Sequence, residues 1–331
     1  MTFNSSEDKL TYYVSTVGIG VMCSFSLVFG VIGNLYVLSR IWQERSLQNM
    51  RYFLVANQSG ADMIVCIFLA GSRLISLFKV DFFHMVRCVL IVIFYGVSEV
   101  ISPSVLTLLS MERFIIIVIP FQKNEYITKR KKFLIVGVLW TVATSFTILL
   151  LFGSQYKKLP TGSQYYCVVD LPYISQGISS IFVTIIFYVC PVTIQLMLYG
   201  TIAYNALKTQ RSSRTGLEPK PLGNVYKIGK MFFFASLNFM LLKFPLHYFE
   251  ILYSINEFRG ADNSPADMGR VKYVIWSYSV SLTYISAATT PWVYIFMSPF
   301  MKETFSKSAG KLRKMSSFSK IPRNIASERS V

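Results

Sequence analysis

The residues best suited to chemistry in this 331-residue chain are Asp62, Glu99 and Lys243, each the single charge in an otherwise apolar segment. His247 and Glu250 follow Lys243 at i+4 and i+7, which places the three side chains on one face of a helix. Enzyme chemistry needs a nucleophile beside a base, or a cluster of metal ligands. The chain has only two histidines and neither arrangement. We therefore predict no enzyme activity, no metal and no cofactor, and a binding role for the isolated charges.

The elements that position these side chains are seven long apolar segments. Charged residues make up 15% of the chain, whereas a soluble domain has about 25%. Asp, Glu, Lys and Arg are absent from residues 10–39, 133–156, 171–207 and 273–301, and residues 52–72, 88–111 and 231–249 hold one each. A membrane-spanning helix needs about 20 residues. The composition excludes a soluble enzyme, a disordered chain and a disulfide-rich secreted domain. It predicts an all-α membrane protein with seven transmembrane helices.

The basic residues lie mainly in the loops on one side of the predicted bundle. With the N-terminus outside, the inner segments hold 23 of the 33 Lys and Arg residues. The positive-inside rule therefore predicts an extracellular N-terminus and a cytoplasmic C-terminus in the plasma membrane. Because these basic residues are split among short loops and a tail, we expect them to face anionic membrane lipids and a protein partner, and no nucleic acid.

The chain divides into four predicted regions. Residues 1–12 form an extracellular tail that contains the glycosylation sequon at Asn4. Residues 13–298 form the bundle, and residues 299–309 form a short amphipathic helix on the inner leaflet. Residues 310–331 are rich in Ser, Lys and Arg, which predicts a disordered cytoplasmic tail.

The five cysteines fall into two groups. Cys23, Cys66 and Cys190 lie within predicted spans, where we expect them to act as buried apolar side chains. Cys88 and Cys167 lie at the outer ends of the bundle, in an oxidising compartment. A disulfide between these two would hold the loop after the fourth span over the mouth of the bundle.

Eight landmarks along the chain match one family in order and spacing. They are Gly33-Asn34; Leu54 to Asn57 with Asp62; Cys88; Glu112-Arg113-Phe114; Trp140; Pro191 with Tyr199; Phe239 with Pro245; and Thr290-Pro291-Trp292-Val293-Tyr294. Together with the seven spans, the outer N-terminus and the cysteine pair, they make the chain resemble the rhodopsin-like (class A) G-protein-coupled receptors. The resemblance covers about residues 13–305.

The resemblance implies a two-state receptor that binds an extracellular small ligand inside the bundle and activates a heterotrimeric G protein. Arg113 is then held by Glu112, and its release lets it meet Tyr199 and Tyr294 when the sixth span swings outward. The other switch positions implied are Asp62, Phe239, Pro245 and Pro291. The positions expected to contact ligand are Tyr95, Glu99, Phe187, Lys243, His247, Glu250 and Tyr284.

Two departures from the family pattern concern the centre of the bundle. Lys243 replaces a tryptophan of the sixth span, and Thr290 replaces the asparagine of the seventh. In relatives the positions of Glu99 and Lys243 face each other, so we predict a buried ion pair between them, with Asp62 as a further carboxylate for the lysine. The alternative is that Lys243 extends to water in an open pocket.

The ligand class stays open at this stage. The sequence from Asn49 to Leu54 and the segments around Arg113 and Pro120 are most similar to odorant receptors of fish and amphibians, which implies a chemosensory function. A peptide or lipid receptor of the same fold is the alternative, and a transporter or channel is a more distant one. The serine-rich tail implies receptor kinases and arrestin as further partners, acting at Ser316, Ser317 and Ser319.

Overall fold

The computed structural model describes residues 6–44, 47, 49–77, 84–119, 129–152, 154–158, 165–169, 176–213, 223–258, 270–298 and 301–302. In these ranges the chain forms seven long helices and one antiparallel β-hairpin. The helices are α1 (Ser6–Phe25, Ser26–Gly30 and Val31–Gln43), α2 (Met50–Ile64, Val65–Ala70 and Gly71–Leu77), α3 (His84–Val118), α4 (Lys129–Phe152), α5 (Gln176–Thr184, Ile185–Val189 and Cys190–Ser213), α6 (Gly223–Phe258) and α7 (Arg270–Met297). The hairpin strands are β1 (Ser154–Lys158) and β2 (Tyr165–Val169). The predicted helical bundle is confirmed, whereas the hairpin was not predicted.

Five helical stretches of the described chain are long and apolar enough to cross a membrane. They are Tyr13–Gln43, Met50–Leu77, Cys88–Val118, Phe133–Phe152 and Ser180–Lys208. The helices α6 and α7 are long enough but fall short in apolarity, because α6 contains Asn238, Lys243 and His247 and α7 contains many Ser and Thr residues. Most of these polar side chains are buried against other helices. Their polarity therefore marks the interior of the bundle.

The middle segment of α1, of α2 and of α5 is π-helical: Ser26–Gly30, Val65–Ala70 and Ile185–Val189. A π-helical turn contains one residue more than an α-helical turn. The faces of the helix before and after it are consequently rotated relative to each other. The α-helical periodicity used to read a sequence does not account for this rotation.

Helix α3 lies at the centre of the bundle, where it contacts α2, α4, α5 and α6. The main apolar core surrounds it and includes Leu106, Leu109 and Phe232. A second cluster joins α1, α2 and α7. The β-hairpin contacts α3, and we call this end of the bundle the hairpin end and the opposite one the Arg113 end.

The predicted region boundaries fit the described residues only in part. Helix α1 begins at Ser6 and so extends into the predicted N-terminal tail. After α7, the Ser298 hydroxyl accepts a hydrogen bond from the Met301 amide (3.4 Å), as a residue that caps a new helix does. Asn4, the rest of the predicted interfacial helix and the serine-rich tail lie outside the described residues.

Candidate functional site

A buried ion pair joins α3 and α6 in the middle of the bundle. Lys243 Nζ lies 2.5 Å from Glu99 Oε1, and the side chains are 8% and 3% exposed. The ammonium also lies 5.1 Å from the centre of the Phe239 ring, in a cation–π contact. The lysine is therefore held between a carboxylate and an aromatic face, and the alternative in which it extends to water is not the observed arrangement.

A second charged layer lies one turn closer to the hairpin end. His247 Nδ1 lies 2.8 Å from Glu250 Oε2, and the Thr184 hydroxyl donates to the same oxygen at 3.0 Å. The Tyr95 hydroxyl donates to Glu250 Oε1 at 3.5 Å. The imidazole is 1% exposed and stacks on the Tyr188 ring, with 4.3 Å between the ring centres. This layer ties α6 to both α3 and α5.

A third polar layer surrounds Asp62 on the Arg113 side of the ion pair. Its carboxylate accepts two hydrogen bonds from the Gln58 amide (3.0 and 3.1 Å) and one from the Ser102 hydroxyl (3.2 Å). A cavity of about 20 Å³ separates Asp62 from the ion pair, which is room for a water molecule. It is lined by Gln58, Asp62, Val65, Leu69, Tyr95, Ser98, Glu99, Ser102, Leu106, Phe239, Lys243, Thr283, Ser286, Ala287 and Thr290.

The seven side chains that were predicted to contact ligand do not all lie together around the cavity. Tyr95, Glu99 and Lys243 line the cavity, and His247 and Glu250 join them through the charged layer above. Phe187 instead packs on Phe146 of α4, with 4.8 Å between the ring centres. Tyr284 packs in the apolar cluster between α1, α2 and α7.

The structure adds Asn238 of α6 to the polar centre. This residue was not predicted, because it carries no charge. Its amide nitrogen donates to the Ser286 carbonyl (3.1 Å) and to the Thr290 hydroxyl (3.1 Å), and its oxygen accepts from the Thr289 hydroxyl (2.9 Å). In the sequence, Asn238 is recognisable as a polar residue within an apolar stretch, five positions before Lys243. Asn238 links α6 to α7 beside the prolines of both helices.

Replacing Asn238 by Leu should lower the free energy of unfolding by about 1 kcal/mol, the usual scale for hydrogen bonds between transmembrane helices. Thermal unfolding of the purified protein measures this. The control is Thr193→Val, because the exposed Thr193 hydroxyl donates within its own helix to the Val189 carbonyl (2.8 Å). Equal effects of the two substitutions would show that the α6–α7 hydrogen bonds contribute nothing.

Prolines interrupt the backbone hydrogen bonding of α6 and α7, at Pro245 and Pro291. Pro291 has no N–H, so it leaves the Ala287 carbonyl without its helical donor, and the Asn34 amide of α1 donates to that oxygen at 3.3 Å. Near Pro245 in α6, the Tyr188 hydroxyl donates to the Met240 carbonyl at 2.7 Å. The Asn34 amide therefore supplies a donor at the carbonyl that Pro291 leaves free, whereas Tyr188 bonds to the α6 backbone five residues before Pro245.

At the other end of the bundle, Arg113 is fully buried and bound to its neighbour in sequence. Its NH2 group lies 2.7 Å from Glu112 Oε2, and Arg51 of α2 lies 3.4 Å from the second oxygen of Glu112. The guanidinium carbon lies 5.4 Å from the centre of the Phe232 ring of α6. Glu112 thus holds the arginine in one position.

Two buried tyrosine hydroxyls line the same end without a hydrogen-bond partner among the described residues. They belong to Tyr199 of α5 and Tyr294 of α7, which are 7% and 0% exposed. A buried hydroxyl without a partner costs about 1–3 kcal/mol. A rearrangement that brings a donor such as Arg113 to these oxygens recovers that free energy.

The cysteines differ from the prediction at one position. Cys23 and Cys66 are buried thiols, as expected, but Cys190 is an exposed thiol, because it lies on the outward face of α5. Cys88 is disulfide-bonded. Cys167 lies in β2 opposite Tyr156, and its pairing with Cys88 stays a prediction.

Comparison with known proteins places this arrangement in a family. The relatives include neuromedin-U receptor 2 of Mus musculus (23% identical, over 91% of this chain and 79% of the relative). Neuropeptide FF receptor 2 of Rattus norvegicus is 23% identical over 85% and 70% of the two chains, and neuropeptide Y receptor type 2 of Cavia porcellus is 24% identical over 90% and 77%. These relatives are receptors, which confirms that the chain is not an enzyme. The family of seven-transmembrane receptors of the rhodopsin type matches residues 33–294, well over half of the chain, and the protein is a member of it.

Proposed function

We propose that the protein is a plasma-membrane receptor that binds an extracellular peptide at the hairpin end and activates a heterotrimeric G protein at the Arg113 end. The observation that carries the coupling role is the buried Arg113–Glu112 pair beside two unpartnered tyrosine hydroxyls. This arrangement has two alternative sets of partners for one arginine, which is what a two-state switch requires.

The relatives support a peptide as the ligand. Receptors named for neuromedin-U, neuropeptide FF and neuropeptide Y match the chain over most of its length. They favour the peptide alternative over the odorant one. The buried charges support a ligand with polar groups, because a purely apolar ligand that separated Lys243 from Glu99 would leave both uncompensated.

The proposal also includes the orientation of the protein in the membrane. The N-terminus and the β-hairpin face the outside, and the basic loops after α1, α3, α5 and α7 face the cytoplasm with its G protein and anionic lipids. Receptor kinases and arrestin act on the serine-rich tail. An epitope tag at residue 1 should be accessible to antibody on intact cells, and a tag at residue 331 only after permeabilisation.

Guanine-nucleotide exchange tests the coupling. The purified receptor in lipid nanodiscs should accelerate exchange on at least one heterotrimer from a panel of G proteins. Tissue peptide extracts should increase this rate, and prior digestion of the extracts with a nonspecific protease should remove the increase. An extract whose activity survives digestion would favour a lipid or odorant ligand. An ion current in cells that lack G proteins would favour a channel.

Loss of the predicted disulfide should remove the receptor from the cell surface. Both Cys88→Ser and Cys167→Ser release the loop after α4, and removal of a native disulfide costs about 2–5 kcal/mol. Surface labelling measures this, with Cys190→Ser as the control because that thiol is free and exposed. Unchanged surface levels in either of the first two variants would contradict the Cys88–Cys167 pairing.

A further inference from the structure

Two buried polar atoms on facing helices have no hydrogen-bond partner among the described residues. They are Glu99 Oε2 on α3 and His247 Nε2 on α6, and they lie 3.9 Å apart. A carboxylate only accepts, so the 2.8 Å contact with Glu250 assigns the hydrogen of the imidazole to Nδ1. In a neutral His247 the Nε2 atom is then an acceptor as well. With His247 neutral, the gap therefore presents two acceptors and lacks a donor.

The charges around this gap favour a cation. Glu99, Glu250 and Asp62 are acidic, and Lys243 is the basic residue among them. The parts of α5 and α7 within residues 171–207 and 273–301 add none, because these stretches contain no charged side chain. Arg73 of α2, which donates to Ser277, still leaves one carboxylate in excess. An anionic group would meet three carboxylates at short range, where charge repulsion in a protein interior is strong.

Lys243 has a second carboxylate available. Asp62 lines the same cavity as Lys243 and Glu99, and among the described residues its hydrogen bonds come from neutral groups, the Gln58 amide and the Ser102 hydroxyl. A lysine ammonium sits on a flexible four-carbon chain and can exchange partners without a backbone movement. The cavity gives it space to do so.

We propose that the ligand carries a basic group, an ammonium or a guanidinium, that enters the gap between Glu99 and His247 and displaces Lys243, which then binds Asp62. This inference rests on the proposed receptor function and names the chemical class that the site recognises. Each cation keeps a carboxylate during the exchange, so no buried charge is left uncompensated. The Lys243 ammonium leaves the Phe239 ring when it moves. The loss of this cation–π contact transmits ligand binding along α6.

A binding experiment tests the ligand class directly. The probes are phenylethylguanidinium and 3-phenylpropanoate at millimolar concentration, added to the full-length receptor in nanodiscs. The guanidinium should raise the thermal unfolding midpoint of the wild type but not that of Glu99→Gln. Glu44→Gln, which changes an exposed carboxylate directly after α1, should respond like the wild type. Stabilisation by the carboxylate, equal stabilisation of Glu99→Gln, or no stabilisation by the guanidinium would each overturn the proposal.

Basal nucleotide exchange tests the movement of the lysine. Glu99→Gln frees Lys243 for Asp62 and should raise the basal rate severalfold, and Asp62→Asn in the same chain should return it to the wild-type rate. An unchanged rate in Glu99→Gln, or no reversal by Asp62→Asn, would contradict the exchange. If Glu99→Gln does not reach the membrane, Lys243→Gln replaces it in both experiments. The guanidinium should still stabilise Lys243→Gln but should not increase its rate of nucleotide exchange. An increased exchange rate would refute the role of the lysine. Failure of every variant and of the wild type to activate any G protein would refute the proposed function, whereas the binding experiment would still decide the ligand class.

Discussion

Lys243→Gln should lower the free energy of unfolding by about 3–5 kcal/mol, because it leaves the Glu99 carboxylate buried without its cation. Glu99→Gln should be destabilised less, because the freed lysine can then bind the Asp62 carboxylate in the same cavity. The double variant should be more stable than either single one, since two neutral amides can bond to each other where two unmatched charges cannot. Thermal unfolding and surface expression of the four proteins form a double-mutant cycle.

The swapped receptor, with Glu99→Lys and Lys243→Glu, completes this test. It restores the pair with opposite polarity, so it should recover part of the stability lost in the single variants. Its recovery should be incomplete, because the new glutamate lies beside the Asp62 cavity and the new lysine loses the Phe239 ring. Strictly additive effects in the cycle, with no rescue by the swap, would show that the 2.5 Å contact contributes nothing.

Arg113→Ala should reduce G-protein activation by at least tenfold while the receptor still reaches the cell surface. In the proposed active state Arg113 is the donor that the hydroxyls of Tyr199 and Tyr294 lack in this structure, and alanine offers no donor. Nucleotide exchange, normalised to surface-labelled receptor, measures the effect.

Arg51→Ala is the matched control for Arg113→Ala. Arg51 also binds Glu112, at 3.4 Å, but it is on α2 and does not face the two hydroxyls in the proposal. It should retain most of the activity. Full activity of Arg113→Ala, or an equal loss in Arg51→Ala, would refute the switch assigned to Arg113.

The helices and their charged residues could be predicted because both depend on local composition. Apolar segments of sufficient length must become helices in a bilayer, and a charge inside one must face the interior and find a partner. The family and the Glu99–Lys243 pair followed from these rules and from the registered landmarks, and the family match and the structure confirm both.

The parts that could not be predicted depend on rotation and packing. Phe187 was placed inward from the family's pattern; it lies in the π-helical segment Ile185–Val189 and packs on Phe146, and a sequence pattern does not include such a local change of helix type. Asn238 was not predicted because the prediction used charged residues, and an asparagine amide carries no charge. The hairpin was missed because its strands are only five residues long and it packs on α3, which is distant in sequence.

The polarity of α6 and α7 has a consequence for how the protein is made. A helix enters the bilayer from the translocon by its own apolarity, and Asn238, Lys243 and His247 weaken that tendency in α6. Glu99 is synthesised before Lys243, so an α3 already in place offers the counter-ion when α6 emerges. The partners of Asn238 on α7 follow later in synthesis. We therefore expect biogenesis to be sequential. Glu99→Gln should delay the insertion of newly made α6 in a glycosylation-reporter assay, and Glu44→Gln should leave it unaffected.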